Sequence, residues 1–290
     1  MLVANFTKTY RKQKTLAKPV SLSGIGVHTG QEVTMNFVPA KENAGIVFRR
    51  IDLPGHPEIP ANVENVCDTS RSTTIGSANK FIHQVEHVLA ALKAYDIDNL
   101  FIDVSNIELP IGDGSSAAFV KMIEEAGVKE QDKDISVYKI LEPIYWSEKD
   151  IHLVLLPYDG YRISYTLNYP ETKALKSQYH SVLINSENFK SEIAPCRTFS
   201  LYKEVSMLMD KGLIKGGSLD NAVIIQDDVI FSKNGLHFPD EMARHKILDL
   251  IGDLSLVPMP FEGHVISIRS GHSSNFQLAK KIFNLIKNGD

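Results

Sequence analysis

The sequence predicts an α+β protein of two similar domains, each a small β-sheet packed with helices, set face to face with the active site between them. Three observations carry this expectation. Short alternating or β-branched runs, broken by Gly and Pro, recur along the chain and are interleaved with segments of helical period. Both halves then run in the order helix, strand, glycine turn, helix: His87 lies 27 residues before Gly114, and His245 lies 26 before Gly271. Between the halves sits the charged stretch Lys129-Glu130-Gln131-Asp132-Lys133-Asp134, poor in apolar residues. It is the best candidate for an interdomain linker, the alternative being a solvated loop within one domain. The expected domains are 1–134 and 135–290.

In chain order, residues 14–38 read as two strands joined by the turn Ser23-Gly24-Ile25-Gly26-Val27-His28-Thr29-Gly30. Residues 45–75 continue as short strands interrupted by Pro54, Gly55 and Pro60. Phe81 to Tyr95 has helical spacing, with Val85, Val88, Leu89 and Leu92 on one face. Phe101-Ile102-Asp103-Val104 is a short strand, and Gly112-Asp113-Gly114-Ser115-Ser116 leads into a helix from Ala117 to Ala126. The second half predicts strands at 152–156, 162–167 and 222–225. A helix carrying His245, a strand at 264–268 and a final helix from Asn275 to Ile286 follow.

Composition narrows the class. With 43% hydrophobic and 23% charged residues, the chain has the makeup of a globular protein. A net charge of -4 argues against a nucleic-acid partner, which calls for a basic face. No apolar run approaches the roughly 18 residues of a membrane span, so no transmembrane segment is expected. The basic N-terminus has no apolar run behind it to make a secretory signal. Two cysteines, Cys67 and Cys196, without CxxC spacing fit a reducing cytoplasm and offer no cysteine-built zinc site.

The stretch His245 to Asp253 carries the first chemical signal. Its residues Ile247, Leu248, Leu250 and Ile251 suit the buried side of an amphipathic helix, with Asp240 as N-cap. His245 and Asp249, four apart, stack on one face, and Asp253 extends the row by a turn. Alone, this is an ordinary His–Asp pair. The first half supplies His83-Gln84-Val85-Glu86-His87, which matches the inverzincin pattern H-x-x-E-H. Taken together, the two segments offer His, His and Asp as metal ligands, a glutamate beside one ligand and a free fourth position. That is the layout of a catalytic zinc site, where bound water titrates near pH ~7.

The motifs also run in the order of a known family. Ser23–Gly30, Val85-Glu86-His87, Asp113-Gly114-Ser115-Ser116, Arg197-Thr198-Phe199, Lys215-Gly216-Gly217-Ser218, His245-Lys246-x-x-Asp249-x-x-x-Asp253 and Ser270-Gly271-His272 span almost the whole chain. In this set the sequence resembles the UDP-3-O-acyl-N-acetylglucosamine deacetylases, zinc amidases of lipid A biosynthesis. Residues before about Gln13 fall outside the resemblance. It implies Zn2+ held by His87, His245 and Asp249, with Glu86 as general base. It further implies Thr198 as donor to the developing oxyanion and Lys246 near the reacting centre or a substrate phosphate. His272 would be proton donor to the leaving amine, oriented by Asp253. His28, Phe199 and Arg269 would contact the substrate, and Leu201–Gly217 would line an acyl passage, unless it is a plain amphipathic helix on the core. His83, absent from the family's metal set, is expected at the flank of its helix.

The function expected is hydrolysis of the N-acetyl group of UDP-3-O-acyl-N-acetylglucosamine by a cytoplasmic, monomeric enzyme. The alternatives are an inverzincin-type peptidase using His83 and His87, and a non-catalytic nucleotide-sugar or lipid-binding protein with a structural zinc.

Overall fold

The computed structural model describes residues 5–210 and 212–289. In the first half, β1 (Phe6–Leu16) precedes β2 (Val20–Ile25), β3 (Glu32–Pro39), β4 (Ile46–Arg50) and β5 (Glu58–Pro60). Then come β6 (Val66–Asp68), β7 (Thr74–Ser77), β8 (Lys80–Ile82), helix α1 (Glu86–Ala94), β9 (Leu100–Val104) and helix α2 (Ala117–Ala126). The second half opens with β10 (Val128–Ile140), β11 (Ile144–Glu148), β12 (Ile151–Leu156), β13 (Tyr161–Asn168) and β14 (Ser177–Leu183). A short helical turn α3 (Ser186–Asn188), β15 (Phe199–Leu201), α4 (Tyr202–Asp210), β16 (Val223–Gln226) and β17 (Val229–Phe231) follow. The chain closes with α5 (Glu241–Leu254), β18 (Phe261–Ile268) and α6 (His272–Gly289). The protein is α+β, as the residue patterns predicted.

Four sheets organise these elements. One is five-stranded in the order β2-β3-β9-β4-β5, and two three-stranded sheets are β6-β7-β8 and β15-β16-β17. The seven-stranded sheet contains β1-β10-β18-β12-β11 with β13 and β14. Strand β18 is its hub, pairing in parallel with β10 at Phe261–Glu262 and with β13 over Gly263–Ile268, and antiparallel with β12. Alternation sets the core face: in β9, Leu100, Ile102 and Val104 are buried while Phe101 and Asp103 are half-buried.

The stretch Lys129–Asp134 is strand, not linker. It lies in β10, antiparallel to β1 from Phe6 opposite Ile140 to Leu16 opposite Val128. Its charges are compatible with a ladder because most of these side chains stand in solvent, and Lys12 pairs with Asp134 at 2.9 Å. The boundary expected at 134/135 thus falls within a strand. Residues 6–12, which looked like an extension, form most of β1.

Two further differences bear on the site. Helix α1 starts at Glu86, not Phe81, because Gln84 sits in the left-handed region at φ 63° and residues 80–82 are strand. Helix α5 has no solvent stripe of the usual width: from Glu241 to Leu254 only Arg244 and Lys246 escape full burial. Asp240 stands at its N-cap position but makes no capping bond. Its carboxylate instead takes Arg244 at 2.7 Å and His180 at 3.0 Å.

The close packing of α1 on α5 has a specific cause. A Cβ on Gly252 would lie 2.0 Å from the Glu86 carbonyl oxygen, so only glycine lets α5 approach the first turn of α1.

Candidate metal centre and catalytic site

Helices α1 and α5 bring together the three ligands expected from sequence. One ligand atom from each of His87, His245 and Asp249 lies within 4.8 Å of the others, and all three residues are buried. Asp249 Oδ1 is 3.5 Å from His87 Nε2 and 3.4 Å from His245 Nε2, and the imidazoles meet edge to face with centroids 5.0 Å apart.

Two of the three members are held by neighbouring groups. His245 Nδ1 donates to the Cys196 carbonyl at 3.0 Å, which leaves its Nε2 bare and aimed at the cluster. Burial pushes the His245 imidazole down to about 4, so the ring is neutral at pH 7. Burial opposes the charge on Asp249, yet Lys246 and His245 hold its carboxyl well below the usual range, with Lys246 Nζ donating at 2.8 Å. Two imidazole nitrogens and one ionised carboxylate are a donor set that could hold a divalent metal ion.

Glu86 opens α1, where the helix's N-terminal dipole favours a carboxylate. It is buried, and burial pushes its carboxyl up. Its Oε2 accepts from the Thr73 backbone N–H at 2.9 Å. His272 begins α6 and donates through Nδ1 to Asp253 Oδ2 at 2.9 Å, so Nε2 turns toward Asp249 at 4.0 Å. Burial works against the imidazolium, but Asp253 outweighs it and raises His272 to about 9. Asp253 also accepts from Thr73 Oγ1 at 2.5 Å and from Asn275 Nδ2 at 2.8 Å. Neither Thr73 nor Asn275 was singled out from sequence, and no local spacing marks them.

Phe199 and Lys246 border this cluster. The Phe199 ring lies edge-on to His245 at 6.4 Å, and the Lys246 ammonium sits 5.3 Å over the same ring. Thr198 is held by its N–H to the Gly114 carbonyl at 2.9 Å. Gly114, at φ 82°, allows this: a Cβ there would strike the Asn221 carbonyl at 2.0 Å. His28 lies on the β2–β3 turn, which packs on the 215–216 loop through Lys215 N–H to the His28 carbonyl at 3.2 Å. Its Nδ1 is buried without a hydrogen-bond partner among the described residues. Arg269 is not drawn into the cluster; its guanidinium pairs with Asp150 at 3.0 Å.

Arg197, part of a quoted motif, has a structural duty. It donates from Nε and Nη2 to the buried Glu241 at the start of α5, at 2.9 and 3.1 Å, and from Nη2 to the Gly235 carbonyl at 2.7 Å. This pins the 196–199 segment to the helix that carries His245. Arg197→Ala leaves the buried Glu241 carboxylate without its cation, holding only the backbone N–H groups of residues 197 and 237, so it is expected to destabilise the fold by about 3–5 kcal/mol. Denaturant unfolding checks this, and a loss below about 1 kcal/mol would contradict a desolvated ion pair.

His83 falls outside the cluster. It precedes α1 and bridges Glu108, with Nδ1 2.8 Å from Thr74 Oγ1. It shares no helical face with His87, so H-x-x-E-H is a coincidence of letters here.

An α+β fold with a buried His-His-Asp set flanked by a glutamate and a histidine–aspartate pair defines a hydrolase class of site. Comparison with known proteins makes the class particular. The family profile described as LpxC, UDP-3-O-acyl N-acetylglycosamine deacetylase, matches residues 13–284. The UDP-3-O-acyl-N-acetylglucosamine deacetylase of Chlamydia pneumoniae is 50% identical over 278 residues, covering 96% of this chain and 99% of that protein. Those of Chlamydia felis and Chlamydia abortus are 50% and 49% identical, covering 94% and 96% of this chain and 97% and 99% of their own lengths. The chain belongs to the UDP-3-O-acyl-N-acetylglucosamine deacetylase family.

Proposed function

We propose that this chain is a Zn2+-dependent amidohydrolase of lipid A biosynthesis. It converts UDP-3-O-acyl-N-acetylglucosamine and water to UDP-3-O-acyl-glucosamine and acetate. The observation that carries the reading is the buried His87, His245 and Asp249 set, with ligand atoms within 4.8 Å, in a chain half identical to named deacetylases over nearly its full length. When bound there, zinc supplies a Lewis acid that acidifies water and polarises the amide carbonyl.

The chain's own residues carry the protons. Glu86, with Oε2 held by Thr73, takes a proton from the attacking water as its oxygen bonds to the acetyl carbon. Thr198 donates its hydroxyl to the developing oxyanion. The C–N bond then breaks as His272 gives its proton to the amine nitrogen, and Asp253 holds the ring in the productive orientation. Lys246 keeps Asp249 ionised and presents positive charge at the centre.

Substrate contacts follow the same reading. His28 offers an uncommitted ring nitrogen, Phe199 an apolar face, and Arg269 would exchange Asp150 for a phosphate. Residues 201–217, apart from Lys211, which lies outside the described residues, include α4 with Tyr202, Met207 and Met209 exposed, and Leu213 exposed beyond it. Exposed apolar groups of this kind suit an acyl chain. The reading includes a monomeric state and a cytoplasmic location. No helix of the described residues is long and apolar enough to cross a membrane, and both cysteines are free.

Acetate release from the UDP-sugar, measured together with bound metal, tests the proposal. His83→Ala separates it from the peptidase alternative. The variant is expected to keep its zinc and its turnover within about threefold, because His83 contacts Thr74 and Glu108 rather than the ligands. Near-complete loss of zinc in this variant would sink the deacetylase reading.

A further inference from the structure

Two groups to which the proposed chemistry assigns proton transfers, Glu86 and His272, come from different helices, α1 and α6. Thr73, at the end of the 69–73 loop before β7, touches the supports of both. Its backbone N–H donates to Glu86 Oε2 at 2.9 Å, and its hydroxyl donates to Asp253 Oδ1 at 2.5 Å. The direction of the second bond is unambiguous, since an ionised carboxylate only accepts. Asp253 is 1% exposed, and its three donors are Thr73, Asn275 and His272. Thr73 is itself 1% exposed, so water does not stand in for it.

We infer that Thr73 is a positioning residue that keeps the base and the acid of the reaction in register. By taking Oε2 of Glu86, the N–H leaves Oε1 as the oxygen available to take the water's proton. By filling Oδ1 of Asp253, the hydroxyl leaves Oδ2 for the imidazole N–H. That fixes the orientation of the His272 ring, with Nε2 turned to the reacting centre. One short loop thereby spans both proton transfers, and a shift of the loop would misplace both at once. The inference rests on the reading of Glu86 and His272 as base and acid.

The test compares Thr73→Val, which keeps the shape and the backbone N–H but removes the hydroxyl, with Thr73→Ser, which keeps the hydroxyl. Both are assayed as zinc-loaded protein. In Thr73→Val, kcat is expected to fall about 10–100-fold, the range for a lost outer hydrogen bond, with KM and zinc content near wild type. Thr73→Ser restores kcat to within about threefold of wild type. The His272 Nδ1–H proton resonance, assigned by its loss in His272→Ala, moves in Thr73→Val and stays in Thr73→Ser. A Thr73→Val enzyme with unchanged kcat and an unmoved resonance overturns the inference. So does a serine variant as impaired as the valine one, or zinc loss in the valine variant. If wild type releases no acetate, the reaction reading fails, and the His272 resonance alone decides the role of Thr73.

Discussion

His245→Ala is expected to abolish both zinc retention and acetate release. The ring supplies one of the three atoms proposed to hold the metal, and its Nε2 is presented bare because Nδ1 is engaged by the Cys196 carbonyl at 3.0 Å. Losing an outer hydrogen bond typically costs ten- to a hundredfold in metal affinity, and losing a ligand itself exceeds about 100-fold. Alanine also leaves a hollow beside Phe199, His87 and the carbonyl of Cys196, with no donor to take its place. The measurement is metal analysis after dialysis, run beside the activity assay. Stoichiometric zinc in the variant would remove His245 from the ligand set.

Glu86→Ala is expected to lower turnover by roughly 10²–10⁴-fold while zinc stays bound, the usual range for a lost general base. The carboxylate is buried, and burial pushes its proton affinity up, the direction that strengthens a base. Two outcomes discriminate. Unchanged turnover would leave the base elsewhere, and would favour a binding protein with a structural metal. Zinc loss would mean that Glu86 supports the ligands rather than the proton.

Much of the proposed site was legible in local spacing. His245, Asp249 and Asp253 fall on one helical row, and Glu86 adjoins His87 in the chain. The same kind of reading failed at His83, where the left-handed Gln84 interrupts the helix that the H-x-x-E-H pattern presupposes. It failed again at Lys129–Asp134, since a solvent-facing strand and a solvated linker carry the same charged composition. Thr73 was invisible because it is a threonine in an unremarkable Ser72-Thr73-Thr74 run. Its partners lie 13 and 180 residues away in sequence.

By itself, the sequence determined the α+β class, the two half-sites and the family, because helical period and motif order are properties of nearby residues. The tertiary structure decided that the half-sites meet. His87 and His245 approach because two almost wholly buried helices pack together, and because Gly252 has no Cβ to hold α5 away from the Glu86 carbonyl. It also decided which polar groups stand behind His245, Asp253 and Glu86: the Cys196 carbonyl, Asn275 and Thr73. Hydrogen bonds between distant segments leave no period in the chain, and burial of their partners makes them obligatory only once the fold has formed.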